Sequence, residues 1–317
     1  MTTTQEAVTQ YVVFRLAAGA DFSATARLLD AFCRAVGPQV AITDIPVERV
    51  RAFVDGRGPV TRYWHRKHSA LRGFYRYAVS HRLVEHVPLS SIIPKQPPAC
   101  VPYLFTREEV HRLLEATSRY RNGRFHLEPH TFRALLLLLY GAGLRLGEAL
   151  HLTLADVDLS AALLTICNTK FYKTRLVPIG PDLCGALRQY AERRAGGHAS
   201  CAAGSAFLVD RKGLPLRDGT VRQAFAQLRR YAGISRTDGA RYQPRLHDLR
   251  HAFAGHRLTT WYRAGADVQR LLPQLSTYLG HVSIAATQVY LTMTPELLRE
   301  ACIRFGRYAD LEGNHER

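Results

Sequence analysis

Apolar residues along this chain recur mostly at three- and four-residue intervals, the spacing of a helix with one buried face. In "TRYWHRKHSALRGFYRYAVSHRL", residues 61 to 83, Trp64, Leu71, Phe74 and Ala78 fall within an arc of about 80° at about 100° per residue. Arg62, Arg66, Arg72 and Arg76 cluster on the opposite side, so the pattern predicts a helix with one packed face and one basic face. Lys67 and Arg82 break that division. Further on, "TREEVHRLLEAT" begins with Thr106 three residues before Glu109, a pairing that caps a helix N-terminus. The run "ALLLLLYGAGL" at 134 to 144 is apolar on all sides and too short to span a bilayer, which predicts a buried helix. In "YGAGLRLGEALHL", Gly141 and Gly143 permit a tight turn before a new helix holding Arg145 and Glu148. Alternation appears in "LLTICNTKFYKTRLVPI", which predicts a hairpin. Helical spacing resumes near 182 and again after Pro244. The predicted fold is mainly α with a small antiparallel β-sheet, an α+β arrangement.

Four prolines in "IIPKQPPACVP" at 92 to 102 block helix continuation and stiffen the chain, so a domain boundary is expected there. Residues 1–98 are expected to form a helical domain and 99–317 a second, larger one. No internal repeat or low-complexity tract is present.

Composition narrows the class. The chain has 317 residues, 47% hydrophobic and 22% charged, which suits two folded domains. Forty-three Lys+Arg against 26 Asp+Glu give a net charge of +17, so a polyanion, above all nucleic acid, is the expected partner. Residues 1–98 carry 13 Lys+Arg and 7 Asp+Glu, and the remainder 30 and 19, so both parts can touch it. The six positive charges of the 61 to 83 helix equal the whole net charge of the first part. Its four clustered arginines are the expected DNA-contacting residues. The opening "MTTTQEAVTQ" lacks the plan of a secretory signal, and no membrane association is expected, which together suggest the cytoplasm. Cys33, Cys100, Cys167, Cys184, Cys201 and Cys302 are scattered without a CxxC pair, so neither disulfides nor a metal site are expected. His247 and His251 stand four apart near His256, but the glutamate of an HExxH zinc site is missing.

In "PRLHDLRHAF", His247 and Arg250 share a helix face and can act on one ligand. In "LGHVSIAATQVY", His281 and Tyr290 are nine positions apart and would point oppositely on one straight helix, so a break between them is expected, near Gly280 to Ile284. These segments, with "SALRGFYRYAV", "GLRLGEAL" and "KTRLVPIG", occur in an order that resembles the tyrosine recombinases, the phage integrase family, especially its Xer-like branch. The resemblance covers nearly the whole chain.

It implies a two-domain DNA clamp with an N-terminal SAM-like core DNA-binding domain and a C-terminal catalytic domain. It also implies a site-specific recombinase that cuts and rejoins DNA through a 3′-phosphotyrosyl intermediate, without metal, ATP or other cofactor. Tyr290 matches the nucleophile, with Tyr278 its nearest rival. Arg145 and Arg250 match a pair of guanidiniums on the phosphate, His247 a proton acceptor and His281 a hydrogen-bond donor. Glu148 matches an acidic position that orients the site, while His251 and His256 are expected to pack. Lys170 matches the general acid, with Lys173 three residues on as the alternative. The family often has Gly-Lys-Gly at this turn, where the chain has Thr169-Lys170-Phe171, so the turn differs. Double-stranded DNA with paired inverted repeats is the implied substrate, bound by a homo- or hetero-tetramer that can include partner recombinases. The rival readings are a catalytically silent DNA-binding relative, a type IB topoisomerase-like relaxase and a metal-dependent nuclease.

Overall fold

The computed structural model describes residues 1–20, 22–97, 101–120, 127–167, 174–197, 199–240, 242–281, 283–292, 299–300 and 302–303. The chain divides into two compact units, Met1–Ala99 and Cys100–Arg317.

The first unit is built from α1 (Thr4–Ala17), α2 (Ser23–Val36), α3 (Val47–Asp55) and α4 (Arg62–Ser80). Thr3 opens α1 and Thr61 opens α4, each accepting a backbone N–H of the first turn through its side chain. On α4 the expected apolar arc is buried, with Trp64, Leu71, Phe74 and Ala78 joining Tyr11, Leu29 and Phe32 in one core. Trp64 also donates its indole N–H to Asp55 at 2.8 Å, tying α4 to the end of α3. Lys67 departs from the basic face for a physical reason: its ammonium turns inward and donates to the Phe53 carbonyl in the last turn of α3. A cation there satisfies a carbonyl that the helix end leaves unpaired.

The second unit contains α5 (Arg107–Arg119), α6 (Pro129–Gly141), α7 (Leu146–His151), α8 (Pro181–Ala195), α9 (Asp218–Tyr231), α10 (Leu246–Arg263), α11 (Val268–Leu279) and the short α12 (Ala285–Gln288). Strands β1 (Val157–Asp158), β2 (Leu163–Ile166) and β3 (Arg175–Pro178) form an antiparallel sheet in that order. The fold is therefore mainly α with one small antiparallel sheet. Thr106 and Glu109 form the expected capping box on α5. Helix α6 is the centre of the unit: Phe132, Leu135, Leu136, Leu138 and Leu139 are buried, and the helix packs against α5, α8 and α10. The expected hairpin is β2 and β3, with Leu164 opposite Val177, both fully buried.

Two glycines end helices where no other residue fits. Gly143 follows α6 at φ +60°, and a Cβ there would lie 2.5 Å from the Phe253 ring. Gly280 caps α11 in the left-handed region, φ +65°, with its N–H bonded back to Thr277. The chain then restarts as α12 and a 3-10 turn, Val289–Thr292. Past that turn, Glu300 accepts from Arg263 of α10 in the same chain at 2.8 Å. Leu297, Leu298, Ala301 and Phe305, which the sequence spaces as an apolar helical stripe, lie outside the described residues. Among the described residues, no helix is long and apolar enough to cross a membrane.

Candidate active site

The site gathers at three chain breaks of the second unit: the turn after α6, the start of α10 and the end of α11. Arg145 is the N-cap of α7, and Glu148 in the first turn accepts its backbone N–H at 2.9 Å. The same carboxylate accepts from the Arg145 guanidinium at 2.7 Å. The second Arg145 nitrogen donates to the Gly280 carbonyl at 2.8 Å, so the head of this side chain is held across 135 residues of sequence. Arg250 lies on α10 and is 1% exposed. It donates to the Gly143 carbonyl at 2.7 Å and to the Leu279 carbonyl. Each guanidinium is thus held by main-chain oxygens at the two left-handed glycine turns. With five N–H donors each, both retain donors for an anion.

A third arginine, which the sequence reading passed over, completes the group. Arg175 begins β3 and forms a two-pronged pair with Glu148, at 3.0 and 2.8 Å, while its Nε donates to the Tyr278 carbonyl at 2.9 Å. A usable signal was the strand period: Arg175 and Val177 share a face, and Val177 is in the core. An arginine on a buried face needs acceptors for its donors, and Glu148 supplies two of them. Burial alone would raise the Glu148 carboxyl, but hydrogen bonds from Arg175 and the Arg145 backbone, with both positive charges, hold it at about 2. Burial instead lowers Arg250 to about 10, helped by the neighbouring charge of Arg145.

Tyr290 lies in the 3-10 turn after α12 and is 3% exposed. Its hydroxyl is 3.0 Å from His251 Nδ1, with the positive charges of Arg250 and Arg145 nearby. Burial raises the phenol's pKa, against the pull of Arg250 and Arg145. The break at Gly280 answers the nine-residue spacing: the His281 and Tyr290 rings stack with centroids 6.1 Å apart. His281 Nδ1 is fixed by Thr287 at 2.7 Å, a threonine fully buried in α12. Tyr278, the rival tyrosine, donates its hydroxyl elsewhere, to the Pro178 carbonyl at 3.2 Å.

One expectation needs correction. His251 is more than a packing residue, because a residue four past His247 lies one turn further along the same face, level with Tyr290. His247 itself stays exposed, with its ring edge-on to His251 at 4.6 Å. His256 hydrogen-bonds the Tyr140 hydroxyl at 2.8 Å, a link between α10 and α6. Burial lowers His251 to about 3 and His281 to about 4, with nearby cationic groups adding to it; His247, whose residue surface stays open, is also lowered, by desolvation of its ring against the site and by the charge of Arg250. All three are therefore neutral near pH 7. Lys170 and Lys173 lie outside the described residues. In the first unit, Arg62, Arg66, Arg72 and Arg76 are all exposed on one side of α4.

Comparison with known proteins shows the chain's family. A family model described as the phage integrase family matches residues 104–296. A Sinorhizobium fredii protein described as an integrase/recombinase is 44% identical over 77% of this chain and 78% of its own length. The tyrosine recombinase XerA of Thermococcus kodakarensis is 33% identical over 73% of this chain and 71% of its own. The solved structure of a transposon integrase with circular intermediate DNA matches 96% of this chain and 100% of that one, at 18% identity and a TM-score of 0.67.

Proposed function

Because the chain belongs to the phage integrase family, we propose that this site-specific DNA recombinase cuts and rejoins strands through Tyr290. The hydroxyl oxygen attacks the phosphorus, the bond to the 5′ oxygen breaks, and a 3′-phosphotyrosyl link stores the bond energy. A 5′-hydroxyl from a second strand then reverses the step, so neither ATP nor metal is needed. Arg145 and Arg250 hold the nonbridging oxygens as charge builds there, which a planar guanidinium does through paired donors. Glu148 and Arg175 hold the clamp in place. His281 donates to the phosphate, and His247, neutral near pH 7, takes up the phenol's proton. The leaving oxygen needs a proton from a general acid, assigned to Lys170, with Lys173 the alternative.

The substrate is double-stranded DNA carrying paired inverted repeats, bound by a tetramer of this chain alone or with partner recombinases. Arg62, Arg66, Arg72 and Arg76 contact its phosphates without reading sequence. The observation that carries the reading is the position of the Tyr290 hydroxyl, within hydrogen-bond reach of His251, near the positive charges of Arg250 and Arg145, and beside the His281 ring. Incubating the protein with a nicked suicide substrate and running a denaturing gel tests it. Wild type forms a protein–DNA adduct, and Tyr290→Phe binds the DNA but forms none. An adduct from the Phe variant would place the nucleophile elsewhere.

A further inference from the structure

We propose that His251 is the residue that holds and aims the nucleophile, accepting the Tyr290 hydroxyl hydrogen at Nδ1 in the resting site so that the phenol oxygen faces the arginine clamp, until attack on the phosphorus passes that proton to His247. The inference rests on Tyr290 being the nucleophile and adds a role for a histidine that the family motifs alone leave among packing residues.

The geometry carries it. The Tyr290 hydroxyl has one hydrogen and two lone pairs. The neighbouring guanidiniums of Arg250 and Arg145 have no acceptor, so neither can take that hydrogen. The hydroxyl hydrogen is then free to go to His251 Nδ1, 3.0 Å away. That choice puts the ring proton of neutral His251 on Nε2. Donating to His251, the hydroxyl has a fixed direction, and its lone pairs are left free to attack. The ring contact supports the same alignment, with His251 and Tyr290 centroids 5.4 Å apart and tilted by 55°. His251 is itself held, by helix α10 and by the edge-on His247 ring at 4.6 Å. Arg250 and His251 are adjacent in sequence, so one turn of α10 supplies both the clamp and the aim. Misplacement of a reacting group by about 1 Å is enough to cost a factor of about a hundred.

Two substitutions separate positioning from bulk packing. His251→Phe keeps a ring but removes the acceptor, and should slow adduct formation on the suicide substrate about a hundredfold with unchanged DNA affinity. His251→Asn keeps a polar atom near the place of Nδ1 and should recover to within about tenfold of wild type. Equal slowing of the two variants, or an unslowed Phe variant, would overturn the proposal. An independent measurement needs no variant at His251: in ¹⁵N-histidine-labelled protein without DNA, the Nδ1 resonance of His251 should shift when Tyr290 becomes Phe. An unshifted resonance would overturn it as well. An adduct from Tyr290→Phe would bring down the nucleophile assignment and this inference together. An inactive Tyr290→Phe beside a full-speed His251→Phe would bring down this inference alone.

Discussion

Replacing Glu148 by Gln should do more harm than any other single change outside the reacting groups. The carboxylate side chain is only 9% exposed and receives two hydrogen bonds from Arg175 and two from Arg145, with Arg250 a further 3.8 Å away. Its carboxyl is lowered from 4.5 to about 2. At 1.36 kcal/mol per pH unit, that is about 3 kcal/mol of folded-state stabilisation. A second route gives the same size, since removing one partner of a buried ion pair costs about 3–5 kcal/mol. Gln keeps one acceptor but turns an N–H towards guanidiniums that have nothing to accept with, so the loss should lie at the lower end. Because the folded pKa is depressed, the contribution is complete above about pH 4.5 and disappears only as pH falls through about 2. Hydrogen exchange of α7 and α10 amides in mild urea reads this unit without assuming that both units unfold together. The expected result is a loss of about 3 kcal/mol at pH 7 and the same loss at pH 5.5. A loss under about 1 kcal/mol, the level of an exposed pair, would refute the argument.

Arg145→Lys and Arg250→Lys should each cut the rate of adduct formation by about a hundredfold, near 3 kcal/mol, while DNA affinity in gel shifts changes little; rates within about twofold would remove them from the clamp. The depressed His247, His251 and His281 stay neutral in the folded protein while the unfolded chain protonates below its ordinary histidine value of about 6.5. Stability should therefore fall as pH drops from about 6.5 towards 4, and His251→Asn with His281→Asn should flatten that slope in urea titrations. A substrate with sulfur in place of the leaving oxygen needs no general acid and should rescue Lys170→Ala but not Lys173→Ala; the reverse pattern would reassign the acid. Gly280→Ala should destabilise the second unit by at least about 1–2 kcal/mol from its left-handed backbone alone and also slow cleavage, because the new Cβ would sit 2.7 Å from Arg175 Nη1. A melting curve and a cleavage time course check both.

Local signals carried well where one face or one turn decides the structure. The buried arc of α4, the capping box at Thr106 and the chain break at Gly280 all follow from residues within a few positions of each other. Helix α9 was passed over because its stripe of Val221, Ala224, Phe225 and Leu228 is crowded by arginines, one of which, Arg229, is itself buried. Pro273 inside α11 hides that helix in the same way. In the site, Tyr290, His281, Arg145 and Arg250 could be named from motifs, but their mutual distances could not. Arg175 was missed because its partner Glu148 is 27 residues away and pairs with it only after the hairpin folds against α7. His251 was set aside because its neighbour His247 took the motif's role, and only the tertiary position of Tyr290 separates the two.

The glycine-aimed carbonyls also bear on how the protein is made. Arg250 reaches back 107 residues to Gly143, Arg145 reaches forward 135 to Gly280, and His251 meets Tyr290 a further 39 along. Contacts of such sequence separation form late, after the closure entropy of the intervening chain has been met. A ribosome-bound chain that has not yet exposed residues 279 to 290 lacks the carbonyls that hold Arg145 and Arg250 and the tyrosine that meets His251. A chain stalled, clipped or released before that point cannot assemble this group of residues, so the long-range wiring makes the site depend on synthesis through residue 290.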